Sequence, residues 1–536
     1  MRRARIRSAL RLSALLVLAA APAGAQDHPG KATYDKWCAG CHGVDGAGAG
    51  DAAGYMLPRP RDFTKALYQV RTTGSGQLPT DADILKIIDE GMPGTAMPGW
   101  RSQLSQQQRS DLVAYLKTFS RFFETTPAPA VLTLGRAPRA SDEMIERGRE
   151  FYQSIECFKC HGQTGRGDGP SAPTQTDDAG FPIRPADLTQ PWLFNGGGTV
   201  EDIHRALRTG FDGTPMPSFS DLIASDFMTE DDLWAVAHYV RSLAPEQFPD
   251  VQEVLRAPRL EAGLPGAVDD AAWDAIDPVY VPLVGQIIVS PRWFNPSVTG
   301  VWLQAAHDDN ELVMRLSWTD RSLSPDPAWT DWRALVTSTM EPKEGVVAAP
   351  ADVPAAGPAA PESAGVPPLP DVMIVQFPRA IPEGMERPYF LLGNARDPVY
   401  LWRWQSQPDG VTEMLGRGLG SQEALPAGNV TSQAAHADGQ WRVVLRRPLA
   451  DPDSANRITF AAGQPIPIGL FAWDGDNGEE GTRGAIGTWY FLYLEQPASG
   501  MVYATPVLAV LLTAGLGLLA VGRAQKKQRG GTIPGA

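Results

Sequence analysis

Cysteine is scarce in this chain. Its 536 residues hold four, and both pairs fall in one pattern: Cys38-Ala-Gly-Cys-His42 and Cys157-Phe-Lys-Cys-His161. None is left for a disulfide framework. None is left to complete a four-ligand zinc site, and no βαβ setting surrounds either pair, as a dithiol redox motif would need. Positive charge is also short: 47 Lys and Arg face 61 Asp and Glu, a net charge of −14. That balance disfavours a phosphate backbone as partner, so no nucleic acid is expected. Long apolar runs occur only at the two ends. Between them lies a globular composition, 43% hydrophobic and 20% charged, with length for three domains.

The first apolar run follows Arg2, Arg3, Arg5 and Arg7 and ends in "AGA" at Ala25. It is too short to span a bilayer and has the three parts of a secretory signal, so residues 1–25 are expected to be cleaved. The second, residues 502–522, is uncharged and followed by Arg523, Lys526, Lys527 and Arg529. Its length as a helix is about 31 Å, one hydrocarbon core. The basic flank places the tail 523–536 on the cytoplasmic side. Everything between then faces the exported side, the periplasm of a bacterial inner membrane crossed once.

The first half is an internal duplication. The two cysteine motifs are 119 residues apart, "RPRDFT" at 59–64 answers "RPADLT" at 184–189, and "GTAMPGW" at 94–100 answers "GTPMPSF" at 213–219. His42 lies 55 residues before Met97, and His161 lies 55 before Met216. Each unit closes on a helical pattern. The units run over 27–125 and 141–246, joined by a Pro-rich linker at 126–140. Beyond them short alternating runs such as "QIIVS", "ELVMRLSW", "DVMIVQF", "QWRVVLRR", "ITFAAG" and "IPIGLFAW" predict an antiparallel β-sandwich over 251–497. A Pro/Ala-rich loop interrupts it at 343–370. The expected fold is therefore two all-α domains, a β-sandwich and one transmembrane helix.

C-x-x-C-H is the attachment pattern of c-type haem: two thioethers from the cysteines and a proximal bond from the histidine. Cys38, Cys41, Cys157 and Cys160 are thus cofactor-binding, and His42 and His161 are iron ligands. Met97 and Met216, at one offset and each before Pro, are candidate sixth ligands. Met92 is a rival in the first unit; Phe211 stands at its counterpart. Arg59 and Arg184, each before Pro, are candidate partners of haem propionates, with ordinary surface arginines as the alternative. His28, His204, His238, His307 and His436 read as packed or surface residues. The acidic run Asp474, Asp476, Asn477, Glu479 and Glu480 does not have the order of a calcium loop and reads as a solvated turn.

On these motifs residues 31–120 and 144–243 each resemble a class I cytochrome c domain. Residues 260–495 resemble the haem-binding (gamma) subunit of ethylbenzene dehydrogenase and related enzymes of the dimethyl sulfoxide reductase family, through "VWLQAAHDDNELVMRLSWTD", "PVYLWRWQ" and "FAWDGDNGEEGTRGAIGTWYFLYLE". That family holds a b-type haem between a Met and a Lys. Gln376 and Thr431 stand at those places here, which puts a b-type haem in doubt. Met314, Met340, Met373 and His436 are the replacement ligands to consider.

The resemblance implies an electron carrier and not an enzyme, with two covalent haems c. Its redox partner would be a molybdenum-enzyme complex, another respiratory complex or a soluble cytochrome. No molybdenum-cofactor chemistry is recognisable in this chain itself. A dihaem peroxidase is the rival, and needs one iron with a displaceable ligand. A third reading makes the sandwich a small-ligand or carbohydrate-binding module, using Trp302, Trp318, Trp402 and Trp404.

Overall fold

The computed structural model describes residues 28–250, 252–340, 367–384, 386–497 and 500–529. The proposed signal 1–25, most of the Pro/Ala-rich loop and the end of the tail lie outside the described residues.

Both repeats are helical and built alike. In the first, Lys31–Trp37 leads into Ala39–His42, and Asp81–Glu90 and Gln106–Lys117 follow. In the second, Asp142–Ser154, Phe158–His161, Val200–Thr209 and Glu230–Ser242 take the same places. Local chemistry sets their ends. Thr80 and Thr199 cap matching helices by capping boxes with Asp83 and Asp202, and Gly91 and Gly210 end those helices at positive φ. The first and last helices of each unit meet at a glycine. A Cβ on Gly30 would lie 2.2 Å from Asp111 O, and one on Gly148 2.0 Å from Ala235 O. Each unit has its own core, around Tyr34, Ile84, Leu112 and Leu116 in one and Tyr152, Leu207, Leu233 and Val236 in the other.

The third domain is a two-sheet sandwich. One sheet runs Val254–Ala257, Tyr490–Leu494, Pro465–Trp473, Val372–Pro378, Val399–Ser406, Asp409–Gly416 and Gln422–Ala424. The other runs Thr431–Ala437, Gln440–Pro448, Glu311–Thr319, Gly300–His307 and Val279–Pro282. Pairing is antiparallel except between Val254–Ala257 and Tyr490–Leu494, which are parallel. Met314, Phe377, Trp402, Val443 and Leu470 help fill the space between the sheets.

Several expectations fail for local reasons. "QIIVS" is a turn and no strand: the buried Gln286 side chain accepts from the amides of Ile288 and Val289, taking donors a ladder would use. "ITFAAG" sends Ile458 and Phe460 into the core without joining a sheet. A helix, Thr330–Met340, lies where no strand or helix was expected. The acidic run is no solvated turn. Asp474, Asp476, Asn477 and Glu479 are all buried, and only Glu480 is exposed. Burial and the neighbouring Asp474 push the Glu479 carboxyl up to about 7. Trp318, Trp402 and Trp404 are core residues, which removes them as a sugar-stacking face.

Gln376 and Thr431 do not converge. Gln376 is buried and donates to Phe390 O at 2.7 Å, while Thr431 is exposed on an edge strand of the other sheet. Met314 and Met373 belong to the main core and Met340 to a separate cluster, and His436 Nε2 is bonded to Asp320 O at 3.0 Å.

The chain closes in one helix, Gly500–Arg529. Its apolar span Ala504–Gln528 is long enough to cross a membrane, and none of its most apolar stretch is buried against the rest of the fold.

Candidate haem centres

Two identical local frames surround the cysteine motifs. The four cysteines are free and half-buried. Burial pushes the Cys38 and Cys157 thiols up to about 12. A redox dithiol needs the opposite shift, toward a thiolate, so this geometry disfavours that chemistry. Among the described residues none of the four falls in a metal-ligating cluster.

His42 Nδ1 lies 3.0 Å from Arg61 O, and His161 Nδ1 lies 3.0 Å from Ala186 O. Arg61 and Ala186 are the third residues of the matching "RPRD" and "RPAD" stretches. A carbonyl can only accept, so Nδ1 carries the proton and the lone pair sits on Nε2. Removal from water lowers both imidazoles, which favours the neutral, ligating form. The following chain is held the same way twice. Tyr34 Oη donates to Gly43 O and Tyr152 Oη to Gly162 O, both at 2.6 Å. Gly43 and Gly162 both turn at positive φ. His42 stacks on Phe63 at 4.5 Å.

The methionine loops also superpose bond for bond. Met92 N donates to Met97 O at 3.0 Å, and Phe211 N to Met216 O at 3.1 Å. Thr95 and Thr214 bridge each loop, accepting from the Met97 and Met216 amides and donating to Met92 O and Phe211 O. Met92 is thus the structural counterpart of Phe211, and its backbone frames the loop. Met97 and Met216 are half-buried.

The arginines point elsewhere than a haem-only role requires. Arg59 bonds Ala53 O and, at 2.9 Å, Thr339 O of the third domain. Arg184 bonds Asn295 Oδ1 and Pro296 O. Arg184 Nη1 remains buried without a partner, as does Tyr68 Oη beside Phe63. These orphaned donors, the paired half-exposed thiols and the free Nε2 positions fit a haem in each unit.

Sequence reasoning missed how the two units meet. Arg71 is buried and reaches across to Asp212 Oδ1 at 2.8 Å and Thr209 O at 2.7 Å. Asp212 also accepts from Gly76 N and Ser75 Oγ. Asp212 opens the loop that ends in Met216. In return Gly94, in the Met97 loop, packs against Leu193 of the second unit. Nothing in the repeat pattern marks Arg71, because its partner is 141 residues away.

Residues 25–116 match the family described as cytochrome c oxidase, cbb3-type, subunit III, and residues 145–244 match cytochrome c. A Haloferax mediterranei protein provisionally named respiratory nitrate reductase heme subunit ORF7 is 25% identical over 258 residues, 48% of this chain and 78% of its own length. Chlorate reductase subunit gamma of Ideonella dechloratans is 30% identical over 103 residues, 19% of this chain and 42% of that protein. Among solved structures, a chain of the Kuenenia stuttgartiensis reducing HAO-like protein complex is 44% identical, with a TM-score of 0.38, over 40% of this chain and 96% of its own. A family 9 carbohydrate-binding module of Caldicellulosiruptor kristjanssonii reaches a TM-score of 0.24 at 9% identity, over 46% of this chain and 98% of its own. The chain carries two cytochrome c domains and is a homologue of the haem subunits of respiratory nitrate and chlorate reductases.

Proposed function

We propose that this chain is a dihaem electron-transfer subunit, anchored by its last helix and facing the periplasm, of a respiratory oxidoreductase whose catalytic partner carries molybdenum. One observation carries the reading: a complete proximal and distal frame occurs twice, and each methionine loop touches the other unit. Two redox centres held this way form a relay.

Cys38, Cys41, Cys157 and Cys160 would hold the two haems by thioethers, and His42, Met97, His161 and Met216 would be the ligands of their irons. Each haem supplies a one-electron iron couple. Sulfur ligation by Met97 and Met216 would raise the potential of that couple relative to a second imidazole. Of the two arginines, Arg184 is the better placed for a propionate, since its Nη1 is free while Arg59 is spent on backbone carbonyls. A catalytic partner is supported by the relatives, both named as reductase subunits, and molybdenum in it by the resemblance to the dimethyl sulfoxide reductase family.

The test is affinity purification of the tagged chain from membranes. Two covalent haems by pyridine haemochrome and a co-purifying molybdenum subunit are expected. One haem per chain, or a chain that leaves the membrane alone and turns over peroxide, overturns the reading.

A further inference from the structure

We propose that the third domain holds a structural calcium ion between Asp320, Asp371 and Asp474. These residues are far apart in sequence and meet at one end of the sandwich. Asp320 follows Glu311–Thr319 in one sheet, whereas Asp371 precedes Val372–Pro378 and Asp474 follows Pro465–Trp473 in the other. Val372 and Trp473 are paired across that second ladder, so Asp371 and Asp474 leave it side by side. One oxygen from each of the three carboxylates lies within 4.8 Å of the others, and all three residues are buried.

Three carboxylates in that position need a counter-charge. Among the described residues none of the three forms an ion pair. Arg333, which reaches the same loop, is paired with Asp476 at 2.8 Å instead. Hydrogen bonds satisfy two of the three acids. Asp371 accepts from the amides of Ser324 and Gly475 and from Trp441 Nε1, and Asp474 accepts from the amides of Asp476 and Asn477. Asp320 accepts only one long bond, to Oδ1 from Ser322 N at 3.4 Å. It is 1% exposed, and its Oδ2 is buried with no partner at all. A buried carboxylate oxygen left bare beside two other carboxylates is costly unless a cation takes its lone pairs.

The donor set favours a hard cation. It is all oxygen, which disfavours zinc and copper. Calcium–oxygen bonds run 2.3–2.6 Å, so opposed ligands sit up to about 5 Å apart; magnesium, at about 2.1 Å and strictly octahedral, requires a tighter cage. The ion would join the two sheets at the end where Asn477 Nδ2 bonds Asn295 O, next to the Arg184 contact.

The full-length haem-loaded protein in detergent, purified with calcium present, tests this. About one calcium per chain by atomic emission is expected. EDTA should lower the thermal midpoint of the β signal by about 5 °C or more, and calcium but not equimolar magnesium should restore it. Asp320→Asn should abolish that response while both c-haem spectra persist. If Asp320→Asn does not fold, calcium titration of the chelated wild-type protein decides alone. Substoichiometric calcium with no response to EDTA overturns the proposal, as does an Asp320→Asn protein that binds calcium like the wild type or is simply more stable without metal.

Discussion

In the proposed centres His42 and His161 would bind iron because a carbonyl fixes their other nitrogen, and Met97 and Met216 would be their counterparts because one loop is bonded in the same way twice. Met97→Ala or Met216→Ala should open one iron to carbon monoxide in the reduced state and lower that potential alone. Unchanged spectra in either variant would strike that residue from the ligand set. His204 behaves differently. It is fully buried, stacks on Trp234 at 3.6 Å, and is pushed down to about 4 by burial, with Arg208 and Arg205 adding to it. Its Nε2 sits 3.0 Å from Glu230, but that carboxylate is already paired with Arg208, so burial wins. An unfolded histidine takes its proton near 6.5, so between about 6.5 and 4 the unfolded state binds more protons than the folded one. The contribution is intact above about 6.5 and lost as pH falls toward 4. Thermal midpoints should decline across that window, and His204→Phe, which keeps the stack, should flatten the decline. An identical pH slope in the variant would refute this.

At the scale of elements the repeats were legible because a helix announces itself locally. Capping residues at Thr80, Ser105, Thr199 and Thr229, and apolar residues every three or four, mark helices without reference to anything distant. The strands were legible only where alternation and pairing coincide. "QIIVS" has the composition of a strand, and Gln286 overrides it with side-chain bonds that no periodicity reports. The acidic run looked solvated because its acids outnumber its apolar residues; it is buried because Ser297, Ser322 and Arg333, remote in sequence, bring it partners. Helix crossings were invisible as well. Gly148 is buried where a Cβ would run into Ala235 O and Tyr239 Cβ. Gly148→Ala gains helix propensity but must push two helices apart, and the second effect dominates, with a net loss of about 1–3 kcal/mol. Denaturant unfolding followed in the second haem's absorbance measures it; a stabilised variant would show that the crossing yields freely.

At the scale of the whole molecule side chains of the two cytochrome c units join them to each other and to the sandwich: Arg71 to Asp212, Arg59 to Thr339 and Arg184 to Asn295. The last helix takes no part in this. Leu508, Leu511, Leu512, Leu518 and Leu519 are each more than half exposed, an apolar surface that water does not tolerate over about 30 Å. A long apolar helix left unburied by its own fold and followed by Arg523, Lys526 and Lys527 has the pattern of a membrane anchor, which is the reading proposed above. Ending the chain at residue 499 should therefore remove the membrane attachment and nothing else. The truncated protein should appear in the periplasmic fraction with two covalent haems and the midpoint potentials of the full chain. Recovery in the membrane pellet after a salt wash would place the anchor elsewhere. Loss of haem from the soluble fraction would mean that the helix supports folding of the domains, although its apolar stretch is not buried against them.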